Sequence, residues 1–152
     1  MCKTLIYLPL LVSLGLVACE HKVDVAAEET AIRVIVQSKV PRTVADYDRL
    51  FAEWAHEPYV GHANLSGKVK VGWDSIREGY KLAFDLLINE PDKYKLEFTR
   101  SNIDIRLNGS TAFVTHDEHV EGIWEGEELS LDRKVVVHLV KIEGEWKIVA
   151  LF

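Results

Sequence analysis

The chain has 152 residues and a net charge of −6, with 48% hydrophobic and 28% charged residues. This composition is typical of a globular protein and excludes a disordered or repetitive chain. The length is enough for one domain with a hydrophobic core and too short for two domains of ordinary size. Because an acidic domain repels phosphate backbones, we do not expect nucleic acid as a partner.

The first residues of the chain are typical of a targeting segment. Lys3 precedes an apolar run of 13 residues, Leu5–Val17. A membrane-spanning helix needs about 20 apolar residues, so this run has the length of a signal peptide instead. The tetrad Leu16–Cys19 (LVAC) closely resembles a bacterial lipobox.

That resemblance implies cleavage after residue 18 and attachment of lipid to the thiol of Cys19. Residues 1–18 are then a lipoprotein signal peptide, residues 19–24 a lipidated tether, and residues 25–152 the folded domain. The alternative is an ordinary secretory signal with an unmodified Cys19. Glu20 stands where inner-membrane retention signals usually carry Asp, which favours the outer membrane. We therefore expect a bacterial envelope protein, anchored in the outer membrane through its lipid and facing the periplasm.

Helical periodicity dominates the first half of the domain. Residues 25–38 place their apolar side chains on one stripe, and Pro41 ends that segment. The second helix begins with a capping box of Thr43 and Asp46, carries apolar residues at helical spacing and is stopped by Pro58. A short strand at residues 59–63 and a turn at residues 64–68 follow, and a third helix covers residues 74–89.

After Pro91 the apolar period changes to two, which predicts strands. The parity switches around residues 100–102, which indicates a β-bulge, and Asn108-Gly109 is a strong hairpin signal. Strands are then predicted at residues 111–124, 130–142 and 145–152. Residues 135–140 are apolar on both parities, which predicts a strand covered on both sides. The predicted fold class is α+β, with three N-terminal helices on one face of a curved antiparallel sheet.

The order of these elements resembles the nuclear transport factor 2-like superfamily, also called SnoaL-like. The resemblance spans about residues 25–152 and implies a cystatin-like cone, in which a bent sheet wraps helices and leaves a pocket at its open end. Members of that superfamily include ketosteroid isomerases, polyketide cyclases, dehydratases, epoxide hydrolases and non-enzymatic binding domains. The segments that carry the resemblance are Trp54-Ala55, Pro58–Val60, Gly72–Ile76, Asn108–Val114 and Gly144–Val149.

The ketosteroid isomerase pattern places two histidines at its acidic positions. The catalytic base of those enzymes falls near His62, their protonated carboxylic acid near His138, and their tyrosine near Ser38. Steroid isomerisation by that mechanism is therefore not expected, although imidazole remains able to carry acid–base chemistry near neutral pH. The alternatives are a rim position for His62 and a hydrogen-bonded core position for His138.

The densest polar stretch of the chain is His116–His119 (HDEH). On a strand, His116 and His119 point to opposite faces, so the stretch does not predict a metal site, and no cofactor is expected. Matching the turn at residues 124–126 to the isomerase pattern puts His116 and Glu118 on the cavity side, as an acid–base or ligand-anchoring pair. The alternative is a solvated strand face.

Aromatic side chains on the predicted helices supply walls for a pocket. We expect Trp54 and Tyr80 to line it, although either could be a core residue, as we expect for Trp146. The first hypothesis is therefore a pocket that binds a small apolar or cyclic molecule without turnover. The alternatives are an acid–base isomerase, dehydratase or cyclase of a cyclic or carbonyl compound using His62, and a protein-interaction module or homodimer formed through the outer sheet face near Trp124.

Overall fold

The computed structural model of the protein describes residues 24–152. The predicted signal peptide, the lipidated Cys19 and the tether, apart from Asp24, lie outside the described residues. Within the described range the chain forms three helices and six strands. Their bounds are α1 Val25–Val36, α2 Val44–Ala52, β1 Gly61–Ala63, β2 Val69–Val71, α3 Trp73–Asn89, β3 Lys95–Asn108, β4 Thr111–Trp124, β5 Glu127–Ile142 and β6 Glu145–Leu151.

The helix starts follow from local capping. The Asp24 carboxylate accepts a hydrogen bond from the backbone N–H of Ala27 at the start of α1. At the start of α2, the Asp46 carboxylate accepts the backbone N–H of Thr43 at 3.0 Å, which confirms the predicted capping interaction. These contacts satisfy N–H groups that have no partner within the helix.

Helix α2 ends at Ala52, well before the predicted stop at Pro58. The reason is tertiary: Trp54 forms a parallel bridge with Ile148 of β6, and the N–H of Ala55 donates to the Ile148 carbonyl at 2.9 Å. The chain leaves the helix to make these backbone bonds, which helical periodicity does not reveal. As a result, the Trp54 side chain is fixed against the sheet.

The sheet has six strands in the order β2-β1-β6-β5-β4-β3. The long strands are antiparallel as predicted, but β1 pairs with β6 in parallel, so the sheet is mixed rather than purely antiparallel. Strand β2 was not predicted, because three residues are too few to show a period. The helices cover one face of this curved sheet, which confirms the α+β architecture.

Strand β3 contains the predicted bulge. The pairing with β4 shifts between Ser101 and Asp104, and Asn102 adopts a φ of 53°. Asn is among the residues that tolerate this left-handed conformation, and the additional residue increases the bend of the strand. The edge of the sheet therefore curls toward the helices at this point.

The predicted β3–β4 hairpin is confirmed, with its turn one residue later than the Asn-Gly signal indicates. Asn108 pairs with Thr111, so Gly109 and Ser110 are the two turn residues. Gly109 has a φ of 59°, which a residue without a side chain adopts at little cost. The turn fixes the register of the β3–β4 pair.

The hydrophobic core lies between the helices and the inner face of the sheet. It includes Ile32 of α1 and Ile76 of α3, packed with alternate residues of β4 and β5. The prediction that residues 135–140 are covered on both sides is wrong in part, because Val136 on the outer face is 39% exposed. None of the helices within residues 24–152 combines the length and apolar character needed to cross a bilayer.

Candidate functional site

A buried carboxylate joins three strands on the inner face of the sheet. Glu118 of β4 is 3% exposed and lies opposite Arg100 of β3 and Arg133 of β5. Arg100 Nε donates to Glu118 Oε2 at 2.8 Å, while Arg133 donates from Nε and Nη2 to Oε1 at 2.9 and 2.6 Å. We refer to these three residues as the charged row. Each carboxylate oxygen therefore has a guanidinium partner, the strongest kind of protein hydrogen bond.

The charged row keeps Glu118 ionised. Burial alone would raise the pKa of its carboxyl, but the hydrogen bonds and charges of Arg100 and Arg133 outweigh burial and lower the pKa to about 2. A carboxylate held this firmly is a poor proton acceptor at neutral pH. Its role is to fix two guanidinium groups inside the fold.

His116 lies beside the charged row on the same face of β4, as the sequence predicted. The side chain is 3% exposed, and its Nε2 lies 3.8 Å from Glu118 Oε2, which is too long for a hydrogen bond. Neither of its ring nitrogens has a hydrogen-bond partner among residues 24–152. A buried ring with two unpartnered nitrogens is uncommon in folded proteins and costs free energy.

Three aromatic side chains pack against one another beside the sheet, and one of them, Trp54, belongs to the hydrophobic core. The ring of His62 in β1 contacts that of Trp54 edge-on, with centroids 5.9 Å apart, and that of Tyr80 in α3 at 4.8 Å. Trp54 and Tyr80 are themselves 5.9 Å apart. We refer to these residues as the aromatic triad. The structure thus brings His62, the candidate base, together with Trp54 and Tyr80, the predicted wall residues.

The charges of the row affect the pKa values of two members of the aromatic triad, His62 and Tyr80. Burial, together with the charges of Arg133 and Lys70, lowers the pKa of His62 to about 4. Burial also raises the pKa of the Tyr80 hydroxyl; the charge of Arg133 opposes this rise, and the charge of Glu118 adds to it. At neutral pH both rings are therefore uncharged.

A second, half-buried acid, Glu53, is linked to the charged row through Ser38. The Nη1 group of Arg100 donates to the Ser38 carbonyl at 2.7 Å, and the Ser38 hydroxyl donates to Glu53 Oε1 at 2.7 Å. The other oxygen of Glu53, Oε2, is buried without a partner in the described part of the chain. Burial raises the pKa of Glu53, against the opposing hydrogen bond from Ser38 and the charges of Arg49 and Arg100. Glu53 is thus a carboxyl group with an acidity shifted toward neutral pH.

His138 is not brought to this site. Its ring stacks on Phe113 with centroids 4.3 Å apart, and Phe113 is 49% exposed. The buried neighbours of His138 in β5, Val137 and Leu139, point the other way. The expectation that His138 faces the same pocket as His62 is therefore corrected: His138 lies on the outer face of the sheet.

Side chains of the HDEH stretch alternate between the two faces of the sheet, as strand geometry predicts. His119 faces outward and its Nδ1 lies 2.8 Å from Asp132 Oδ1, while His116 faces inward. No group of three or more His, Cys, Asp or Glu side chains in residues 24–152 is arranged to hold a metal ion. Trp124 packs edge-on against Tyr94 at 5.1 Å, at the far end of β4.

Sequence reasoning missed Arg100, Arg133 and Glu53. A signal for the arginines was present, because Arg133 has the same parity as the buried residues Val135 and Val137. A cationic side chain at an inward-facing position of a strand indicates either that the strand has reached the edge of the core or that the cation has a buried anionic partner. No local signal marks Glu53, since its burial follows from the way the chain leaves α2.

Comparison with known proteins agrees with this geometry. A family model described as SnoaL-like domain matches residues 43–151. The chain belongs to the SnoaL-like family. No curated protein matches the sequence.

Solved structures share the fold of this SnoaL-like domain at low sequence identity. A nuclear transport factor 2-like superfamily protein from Salmonella enterica serovar Typhimurium is 16% identical, with a TM-score of 0.63 over 83% of this chain and 89% of that one. A protein of Novosphingobium aromaticivorans provisionally named a scytalone dehydratase is 17% identical, with a TM-score of 0.61 over 83% and 82%. One of Shewanella frigidimarina, provisionally named a ketosteroid isomerase, is 17% identical, with a TM-score of 0.57 over 83% and 90%.

The charged row predicts a specific acid response. Because the pKa of Glu118 is lowered from 4.5 to about 2, its ionisation stabilises the fold above about pH 4.5, and this contribution is lost as the pH falls toward 2. The full contribution is about 3 kcal/mol. We expect Glu118→Gln to lower the free energy of unfolding by about 3–5 kcal/mol at pH 7, because two guanidiniums lose their partner. Urea unfolding at several pH values measures this.

The difference between wild type and Glu118→Gln should shrink as the pH falls from 4.5 to 2, since a protonated Glu118 resembles the amide. Glu127→Gln, an exposed substitution at the start of β5, is the matched control and should change the unfolding free energy little at any pH. A difference between wild type and Glu118→Gln that stays constant over this pH range would contradict the assignment.

Proposed function

We propose that this SnoaL-like domain binds a small, partly apolar molecule in its cone, without turnover. The observation that carries the proposal is His116, whose two ring nitrogens are buried and unpartnered within the described chain. Leaving such groups without partners costs about 1–3 kcal/mol, and a hydroxyl or carbonyl group of a ligand would remove that cost. Binding sites commonly retain polar groups of this kind to orient a ligand.

The surroundings of His116 support an apolar body for the ligand. Trp54, which is 2% exposed, and Tyr80 both pack with His62, and this aromatic cluster supports the proposal of an apolar wall for the ligand. Aromatic walls with a few convergent polar groups are the usual composition of a small-molecule site. A cyclic compound carrying one polar group fits this combination.

The acid–base properties of the pocket favour binding over turnover. His62, the base expected from the sequence, has its pKa lowered to about 4 and is a weak proton acceptor. Glu118 is held ionised by two guanidiniums. An effective general acid or base has a pKa near the working pH, which neither group has.

Replacement of His116 separates a ligand role from a structural one. His116→Leu removes two unpartnered nitrogens and retains an apolar side chain, so we expect an unfolding free energy that is unchanged or raised by about 1 kcal/mol. Binding of 2-naphthol, measured by fluorescence titration, should weaken about tenfold. Binding of naphthalene, which has no hydroxyl group, should change little.

His119→Leu, the same substitution on the outer face of β4, is the matched control and should leave 2-naphthol binding intact. A His116→Leu variant that unfolds more easily but binds 2-naphthol like the wild type would assign His116 to structure. Native mass spectrometry of the purified protein, before and after denaturation, shows whether a cellular compound occupies the cone.

A second candidate function is acid–base turnover of a cyclic or carbonyl compound, with Glu53 rather than His62 as the proton-transferring group. The observation that favours it is the raised pKa of Glu53, together with its buried and unpartnered Oε2. A carboxyl of this kind is suited to exchanging a proton with a bound molecule. Two structural neighbours also carry the names of acid–base enzymes, a dehydratase and a ketosteroid isomerase.

Deuterium exchange tests this candidate without a known substrate. The protein is incubated in D₂O with compounds released from it, which are then analysed by mass spectrometry. Turnover predicts carbon-bound deuterium with the wild type and none with Glu53→Gln, while the compound still binds to both. Equal labelling with both proteins, or labelling with neither, would remove Glu53 as a catalyst.

We also propose that the domain is lipid-anchored in a bacterial envelope through Cys19, in the outer membrane facing the periplasm. The support is the Leu16–Cys19 tetrad after an apolar run of signal-peptide length. We expect metabolic labelling with an alkyne fatty acid to mark the wild type and not Cys19→Ser. Labelling of the Cys19→Ser variant would exclude this residue as the anchor. A homodimer through the outer sheet face remains a prediction.

A further inference from the structure

A groove lies at the open edge of the cone, between the α1–α2 connection and strand β3. It has a volume of about 520 Å³, and we refer to it as the mouth groove. Two of its residues also reach the interior: Arg100 through its bond to Glu118, and Ser38 through its bond to Glu53. The mouth groove therefore shares two lining residues with the contacts that surround the proposed binding site. Its lining residues are residues 37–40, Arg42, Asp46, Arg49, residues 96–98 and Arg100.

The mouth groove has more positive than negative side chains. Its lining includes the cations Lys39, Arg42, Arg49 and Arg100, but only two carboxylates, Asp46 and Glu97. This excess is local, because the whole chain has a net charge of −6. The excess of positive side chains at this surface therefore favours an anionic ligand.

The carboxylates of the groove are already engaged. Asp46 Oδ2 accepts the backbone N–H groups of Arg42 and Thr43 at 3.0 Å each, and its Oδ1 lies 3.5 Å from Arg49. Glu97 lies 3.8 Å from Lys95. By contrast, the side chains of Lys39 and Arg42 form no ion pair within residues 24–152. Two cations at the rim of the groove are left for another partner.

The inner end of the groove is apolar. Leu96, which is buried, and Phe98 lie on the inner face of β3, and the Arg100 guanidinium lies 5.7 Å from the centroid of the Phe98 ring. The groove therefore has cations at its rim and apolar surface further in. A ligand that matches both regions carries a negative group at one end of an apolar body.

From this arrangement we infer that the cone ligand is an amphipathic carboxylate, whose acid group binds Lys39 and Arg42 at the rim while its apolar body extends toward the interior. The guanidinium of Arg42 offers paired donors that match the geometry of a carboxylate. This inference rests on the proposed function of the cone as a ligand site and adds the chemical class of the ligand.

Two compounds of the same shape test the charge preference. The probes are 1-naphthaleneacetate and its neutral amide, titrated into the purified protein by isothermal titration calorimetry. We expect the acid to bind at least tenfold more tightly than the amide and to lose affinity as ionic strength rises. In the double variant Lys39→Gln/Arg42→Gln, affinity for the acid should fall about tenfold, while affinity for the amide should change less than twofold.

The matched control is the double variant Arg77→Gln/Lys81→Gln, which removes the same charge from the exposed surface of α3. It should bind the acid as the wild type does, and an equal loss of affinity would attribute the preference to overall charge and overturn the inference. Equal affinity of the wild type for acid and amide would overturn the anion preference while leaving the cone as a ligand site. If neither probe binds and 2-naphthol does not bind either, the proposed function fails, and this inference with it.

Discussion

The burial of one carboxylate between two guanidiniums is the constraint on which the interior of this domain depends. Glu118 has almost no contact with water, so its charge is tolerable only while Arg100 and Arg133 remain within hydrogen-bond distance. The two arginines come from the strands on either side, so the row sets the position of β3, β4 and β5 relative to one another. Apolar packing alone would tolerate small shifts between these strands, but a buried ion pair does not.

The same row determines what chemistry the interior offers. The arginines lower the pKa of Glu118, so this potential base stays an ionised structural carboxylate. Burial and the charge of Arg133 also lower the pKa of His62, which makes protonation of that ring unfavourable. Two polar side chains, His116 and Glu53, still have buried atoms without a hydrogen-bond partner in the described part of the chain. His116 lies beside Glu118, while Glu53 is linked to Arg100 through Ser38. Under the two proposed functions, His116 would orient a ligand and Glu53 would exchange a proton with it, so the two roles would fall to separate groups.

The sequence predicted those features that depend on local spacing. The capping of α2, the parity change in β3 and the inward direction of His116 and Glu118 each follow from residues a few positions apart. It did not predict features that depend on which distant segments meet. The early end of α2 follows from backbone bonds to Ile148. The outward position of His138 was missed for a different reason: residues 135–140 are mostly apolar on both parities, which hides that Val137 and Leu139 are the residues that face the core. Arg133 was missed because its partner, Glu118, lies on another strand, 15 residues away in sequence.

The bulge of β3 has a consequence for the shape of the strand itself. Arg100 and Ile103 are three residues apart, a spacing that normally places side chains on opposite faces of a strand. Both nevertheless lie on the inner face, because β3 has one more residue than β4 between Ser101 and Asp104. Deleting Asn102 would leave Arg100 and Ile103 two residues apart, so simple alternation would still place both on the inner face, but the strand would lose the bulge and the bend that the bulge produces. The additional residue therefore serves curvature: a β3 without it would keep its inward side chains but would be a straighter strand.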